Sequence, residues 1–349
     1  DEKDYAGRPR FTDPEILRSS LAGVILRMKS LNLGAVEDFP FLEPPPGKAI
    51  ADGYALLNEL GAVDDDNELT AIGRELAHLP LDPRVGRMIL EARERQSLAE
   101  VLIIAAALSG QDVRDRPIDQ QPAADAKHKP FDDEKSEFMG TVKLWHWIEE
   151  GRGSHGHPMG PHATAKARRG PPRGLSQLGN GPALTQEGGD THKLSNRQQE
   201  QRIRDNFISV RRVREWRDIH SQLLTVVKDN GWRLNTTPAT YEQVHLALLA
   251  GLLGNIGLKA EDDEVYLGAR GIRFWKHPGA NLSKKPGRWL MAAELVETTR
   301  LFGRGLAAIE PQWIERIGGH LLKKQLLEPH WEKKAGEVVA LERATLYGV

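Results

Sequence analysis

Residues 69–117 read LTAIGRELAHLPLDPRVGRMILEARERQSLAEVLIIAAALSGQDVRDRP, a block dense in helix punctuation and apolar periodicity. Asp82 and Pro83 form an N-cap and first-turn pair: the carboxylate can accept from free first-turn N–H groups, and proline has no N–H to lose there. Behind them Val85, Met88, Ile89 and Ala92 recur at helical spacing. Ser97 and Glu100 fit the capping-box pattern just before the apolar run Val101–Leu108. The block therefore predicts two consecutive helices joined by a sharp turn near Arg95–Gln96.

Working outward, residues 12–79 read as two helices and a wing. Asp13 caps a helix with the stripe Leu17, Leu21, Val24 and Met28, ended by Gly34, and a second helix carries Ile50, Tyr54 and Leu57 as far as Gly61. The acidic turn Asp64–Asn67 separates Val63 from Leu69 as in a short hairpin, so the unit reads as a winged helix. Its second helix offers Lys48 alone and also bears Asp52 and Glu59, which favours packing against protein over reading DNA.

Residues 80–258 are helical by pattern. Phe138, Val142, Trp145 and Ile148 mark one helix. Ile203, Phe207, Val210, Val213, Trp216, Ile219 and Leu223 form one long stripe ending at Gly231, and Thr237–Pro238 opens a helix with Tyr241, Val244, Leu248 and Leu252 inward. Residues 151–195 interrupt the pattern with ten glycines, five prolines and the string AKARRGPPRG. So little apolar surface cannot offset chain entropy, so a flexible insertion is expected. From about residue 262 the period shortens: Val265–Leu267, Ile272–Trp275, Trp289–Met291 and Leu301–Phe302 read as strands, and Pro311–Leu322 as one helix.

Bulk composition is less informative. Lys plus Arg number 48 against 49 Asp plus Glu, so any nucleic-acid signal has to come from charge distribution. With no cysteine, disulfides and thiolate metal sites are excluded. The longest apolar run, Leu102–Leu108, is too short to span a bilayer, and no signal peptide is read before Phe11; a cytoplasmic protein is expected.

The central block, followed by LSGQDVRDRP, resembles the helicase-associated region that follows the motor domains of DEAH-box RNA helicases. Upstream, TDPEILRSSLAGVILRMKSLNLGAVEDFPFLEPPP looks like that family's winged-helix segment. Downstream, AADAKHKPFDDEKSEFMGTVKLW and HPGANLSKKPGRWLMAAELVETTRLFGRGLAAIEPQWI are similar to its ratchet-like domain and oligonucleotide-binding barrel. The last segment looks most like the bacterial HrpA-type branch. The resemblance implies a mainly α chain with a C-terminal β-barrel. It sets 1–10 as the tail of a motor domain, 11–79 as winged helix, 80–258 as ratchet-like domain with the insertion, and 259–349 as an OB-fold, possibly truncated at its end.

Motor motifs are not found. No G-x-x-x-x-G-K-[ST] sequence is present to cradle phosphates, since Gly47–Lys48 is followed by Ala49 and position 42 is Leu. No D-E-A-H tetrapeptide is present to hold magnesium. ATP and Mg would belong to RecA-like domains of the same polypeptide outside these residues, and no catalytic residue is nominated.

Residues 265–293 contain Arg270, Arg273, Lys276, His277, Lys284, Lys285 and Arg288, no carboxylate, and the aromatics Phe274, Trp275 and Trp289. Cations neutralise phosphates and aromatic faces stack bases of any identity, although a solvated basic loop over core aromatics fits the pattern equally well. The resemblance favours single-stranded RNA contact, with Lys284, Lys285 and Arg273 foremost and Trp289 turned to the core. It also puts Arg114 and Arg116 of GQDVRDRP near the RNA path, where ion pairing with Asp112 or Asp115 is the plain alternative. Arg211, Arg212, Arg214 and Arg217 line a long helix that the resemblance turns toward the single strand, with an ordinary solvated charged face as the plain alternative. His155, His157 and His162 lack metal-site spacing.

The expected function is accessory RNA binding within an ATP-dependent RNA helicase, guiding single-stranded RNA during 3′–5′ unwinding. A freestanding non-catalytic RNA-binding or scaffold protein is the rival, and a winged-helix DNA regulator a weaker third.

Overall fold

Side-chain caps place most of the helix starts. The computed structural model describes residues 20–151, 194–261, 264–282, 287–332 and 337–346. Asp13, Leu17, the histidines of the insertion, Lys284 and Lys285 lie outside them. The winged-helix unit comprises α1 (Ala22–Ser30), α2 (Gly47–Glu59) and α3 (Ala71–His78), with Thr70 Oγ1 capping α3 by accepting from Gly73 N at 3.0 Å. The wing is minimal: one antiparallel bridge, Val63↔Leu69, with Asp64 Oδ1 accepting from Asp66 N and Glu68 N. In α1 the buried residues are Ala22, Ile25, Leu26 and Met28, while Val24, expected inward, is exposed.

The helical region holds α4 (Pro83–Glu94), α5 (Leu98–Leu108), α6 (Gln121–His128), α7 (Glu137–Glu150), α8 (Asn196–Asp205), α9 (Val210–Asp229) and α10 (Tyr241–Leu252). Asp82 accepts from Arg84 N and Val85 N, as its sequence position predicts, and Gln96 makes the turn into α5 at φ 55°. The predicted Ser97–Glu100 capping box does not form. Ser97 makes no cap bond; Glu100 is buried and accepts instead from Asn235 Nδ2 at 3.0 Å and Ala239 N at 2.9 Å. A buried carboxylate goes where the most donors converge, and here those donors come from 135–139 residues away.

The long stripe predicted across Ile203–Leu223 is two helices. Phe207 adopts φ 53°, Ile208 bridges Arg114, and Ser209 caps α9. Bonds from Asp115 N to Phe207 O and from Ser209 N to Val113 O, both 2.8 Å, replace the helical ones. Likewise α10 begins not at Thr237–Pro238 but at a capping box of Thr240 and Gln243.

The barrel begins earlier than predicted. Its strands are β1 (Ile256–Lys259), β2 (Val265–Gly268), β3 (Arg273–Lys276), β4 (Trp289–Glu297) and β5 (Leu301–Ala308), closed in the order β1-β2-β3-β5-β4. Only the β3–β5 pairing is parallel. Phe274 fills the barrel with Tyr266, Leu290 and Leu306. Gly257 permits this, since a Cβ there would stand 2.5 Å from the Phe274 ring. The far end of the barrel merges with the helical core through Ile256, Met291 and Ala307.

Helix α11 (Pro311–Gly318) ends in a 3-10 turn, and Leu322, expected within it, starts a strand. That strand, β6 (Leu322–Glu332), pairs with β7 (Glu337–Leu346) as a separate two-stranded sheet rather than as further barrel strands.

The end of α2 is a three-way junction. Glu59 Oε1 accepts from Gly254 N at 2.9 Å, and Leu60 O accepts from Arg87 Nε at 3.1 Å. His320 Nε2 must donate, because both its neighbours are carbonyls, Asn58 O and Glu59 O at 3.1 and 3.2 Å.

Candidate nucleic-acid interface

Strand β3 sorts its side chains by the period of two. Phe274 points into the barrel, fully buried, while Arg273 is exposed and Trp275 half-buried on the outer face. Parallel pairing sets Trp275 opposite Phe302 of β5. The Arg300 guanidinium lies over the Trp275 ring, 5.1 Å from its centroid, and His277 meets Phe302 edge-on at 5.8 Å. Arg304 Nη2 reaches His277 Nε2 at 3.4 Å and stands 4.0 Å from Glu294. Arg273, Arg300 and Arg304 thus surround Trp275, His277 and Phe302 on one strip of surface.

Among the described residues the side chains of Arg273 and Lys276 make no hydrogen bond or ion pair, so their charge is available to a ligand. Burial and the nearby Arg304 hold His277 below the ordinary histidine pKa. At neutral pH it is a ring to stack on rather than a cation.

The other predicted residues are scattered. Arg270 sits in the turn between β2 and β3 at φ 60°. Arg288 lies at the β1–β4 seam, where its carbonyl accepts from Lys259 N and its guanidinium is 3.9 Å from Glu261. Arg116 is held by both carboxylate oxygens of Asp125 at 2.7 Å, a partner not foreseen from sequence. Arg114 is 3.9 Å from Asp112, and its buried Nε has no hydrogen-bond partner. On α9 every arginine of the row is paired: Arg211 with Glu215, Arg212 with Asp115, Arg214 with Glu200 and Arg217 with Glu149. Those pairings give each of the four α9 arginines a carboxylate partner within the fold.

Sequence reasoning missed Arg300, Phe302 and Arg304, although R-x-F-x-R is a period-two signal for one face of a strand. It also grouped Phe274, Trp275 and Trp289 together. Only Trp275 faces outward on this strip; Trp289 is half-buried against the helical core, as expected.

No nucleophile–base arrangement meets solvent among these residues. Ser136 Oγ and His245 Nε2 are 2.6 Å apart, but both residues are fully buried and no substrate can reach them.

Comparison with known proteins agrees with this architecture. Residues 55–81 match the family described as helicase associated domain (HA2), winged-helix; residues 82–142 match its ratchet-like counterpart; residues 244–321 match the oligonucleotide/oligosaccharide-binding (OB)-fold. The whole chain aligns with the ATP-dependent RNA helicase HrpA of Escherichia coli at 43% identity over 353 residues, and with its Haemophilus influenzae homolog at 41% over 355. The chain thus carries the helicase-associated winged-helix and ratchet-like modules and an OB-fold, and along its whole length it is similar to one region of HrpA. It spans 24% of the length of each of those two relatives. The strip lies on β3 and β5 of the barrel, so it shares strand β3 with the strand 2–3 face through which OB-folds bind oligonucleotides. No helix among the described residues is long and apolar enough to cross a membrane.

Proposed function

We propose that this chain is the RNA-guiding portion of an ATP-dependent RNA helicase, holding single-stranded RNA against the outer β3–β5 strip of its barrel. The observation that carries the reading is the alternation of Arg273, Trp275, Arg300, Phe302 and Arg304, cation beside aromatic, on adjacent strands. Guanidinium groups neutralise phosphates and aromatic faces stack bases without reading them, which suits an enzyme that must move over any sequence.

The motive force in this reading comes from RecA-like domains of the parent polypeptide, which bind ATP and Mg and draw the strand 3′ to 5′ in the cytoplasm. The winged helix supports it. Leu31, Leu33, Phe39 and Leu42 are exposed there, an apolar surface suited to resting against a motor domain.

Fluorescence anisotropy with a labelled single-stranded RNA tests the site. Arg273→Glu weakens binding and lowers the slope of log K against log salt; each phosphate that is no longer neutralised reduces it by about 0.7. Binding and slope identical to the parent would remove the strip from the reading.

A further inference from the structure

The β6–β7 ribbon carries a surface that RNA guidance does not use. It is a lone two-stranded sheet, an arrangement only marginally stable in water on its own. At its base Leu346 is buried in the helical core and Leu322 packs beside it. Further out, Leu326, Trp331 and Val338 are 70%, 60% and 66% exposed.

These three side chains share a face because of one irregularity. In a regular strand Leu326 and Trp331, five positions apart, would point to opposite sides. Between Leu327 and His330 the register shifts and Glu328 takes φ 50°, a bulge that inserts one extra residue. Position 342 opposite Leu326 and position 338 opposite Trp331 are four apart, so the two apolar side chains emerge on the same side. Trp331 then stands directly across from Val338.

We infer that this face is an intramolecular seat, covered in the full-length polypeptide by an apolar segment that lies outside residues 1–349. The inference rests on the parent-polypeptide reading above. Its relatives are about four times as long as the matched region, which supplies the covering chain. A tethered segment also needs little affinity of its own, because the tether holds it at an effective concentration of roughly millimolar. A second copy is the poorer occupant, since three side chains fall far short of the ~800 Å² per partner that a stable association buries.

Hydrogen exchange read peptide by peptide over residues 322–346 tests this in the 349-residue chain and in the longer natural polypeptide. Amides of the ribbon are expected to exchange at least about tenfold more slowly in the longer protein, with Trp331→Asp or Leu326→Ser restoring fast exchange. Equal exchange in the two proteins, a natural reading frame encoding nothing beyond these residues, or a dimer abolished by Trp331→Asp would each overturn it. Arg273→Glu serves as the separate control: it lowers RNA binding and leaves the ribbon's protection unchanged, so the two readings fail independently.

Discussion

Ser136 Oγ stands 2.6 Å from His245 Nε2 in a fully buried contact that joins the start of α7 to α10. His245 Nδ1 is 2.6 Å from Tyr241 O and must donate to it, so Nε2 is the acceptor and Ser136 gives its hydroxyl proton to the ring. Ser136 also caps α7 by accepting from Met139 N, and it bridges Ala307 of β5. A pair that resembles a nucleophile and its base is thus a rivet beneath the barrel.

The rivet needs a neutral imidazole, and burial depresses the His245 pKa to about 4. Between pH 6.5 and that value the unfolded chain holds the extra proton and the folded protein does not. Stability is therefore full above pH 6.5 and falls as pH drops through this window, by up to about 3 kcal/mol. Urea unfolding of the parent and of His245→Gln from pH 7 to 4.5 should show their difference shrinking with acid. A constant difference would refute the linkage.

Stacking on the barrel strip is separable from charge. Trp275→Ala should weaken single-stranded RNA binding by about 1–3 kcal/mol, with the salt slope unchanged. Arg300→Ala should cost less in affinity but lower the slope. Identical slopes for the two variants would argue that Arg300 only packs on Trp275.

Much of the architecture is legible in the chain because helix starts are written locally. Asp82–Pro83 reads correctly since every atom of that cap lies within three residues. Ser97–Glu100 misleads because Glu100 is claimed by Asn235 and Ala239, partners that no local window contains. Phe207 is illegible for the same reason: its left-handed backbone is imposed by pairing with the 113–115 loop. On the barrel, cations and rings are visible in sequence, but which ring faces out depends on a parallel pairing of β3 with β5 across 27 residues.

Glu100→Ala would leave the Ala239 N–H and one of the two Asn235 amide N–H bonds without an acceptor in the core, the other still donating to Thr237 O. Each missing acceptor costs about 1–3 kcal/mol, so a marked fall in the melting temperature is expected. Glu100→Gln should recover part of it, and equal melting of both variants with the parent would show that water replaces the carboxylate.

Gly257→Val would drive a side chain into the Phe274 ring and shift β1 against β2 and β4. Overpacking of this kind costs about 1–3 kcal/mol. Combining it with Phe274→Leu should relieve part of the loss, and strict additivity in the double variant would show that the two residues do not compete for space.

Glu59, Leu60 and Asn58 sit on one helical turn yet bond to the barrel approach at Gly254, to Arg87 of α4 and to His320 beyond α11. A single turn gripped from three sides has no slack in which a hinge could open. A push delivered to the wing-bearing unit is therefore felt at the barrel's seat as displacement rather than absorbed as bending, and the strip that would hold the strand is carried along with it.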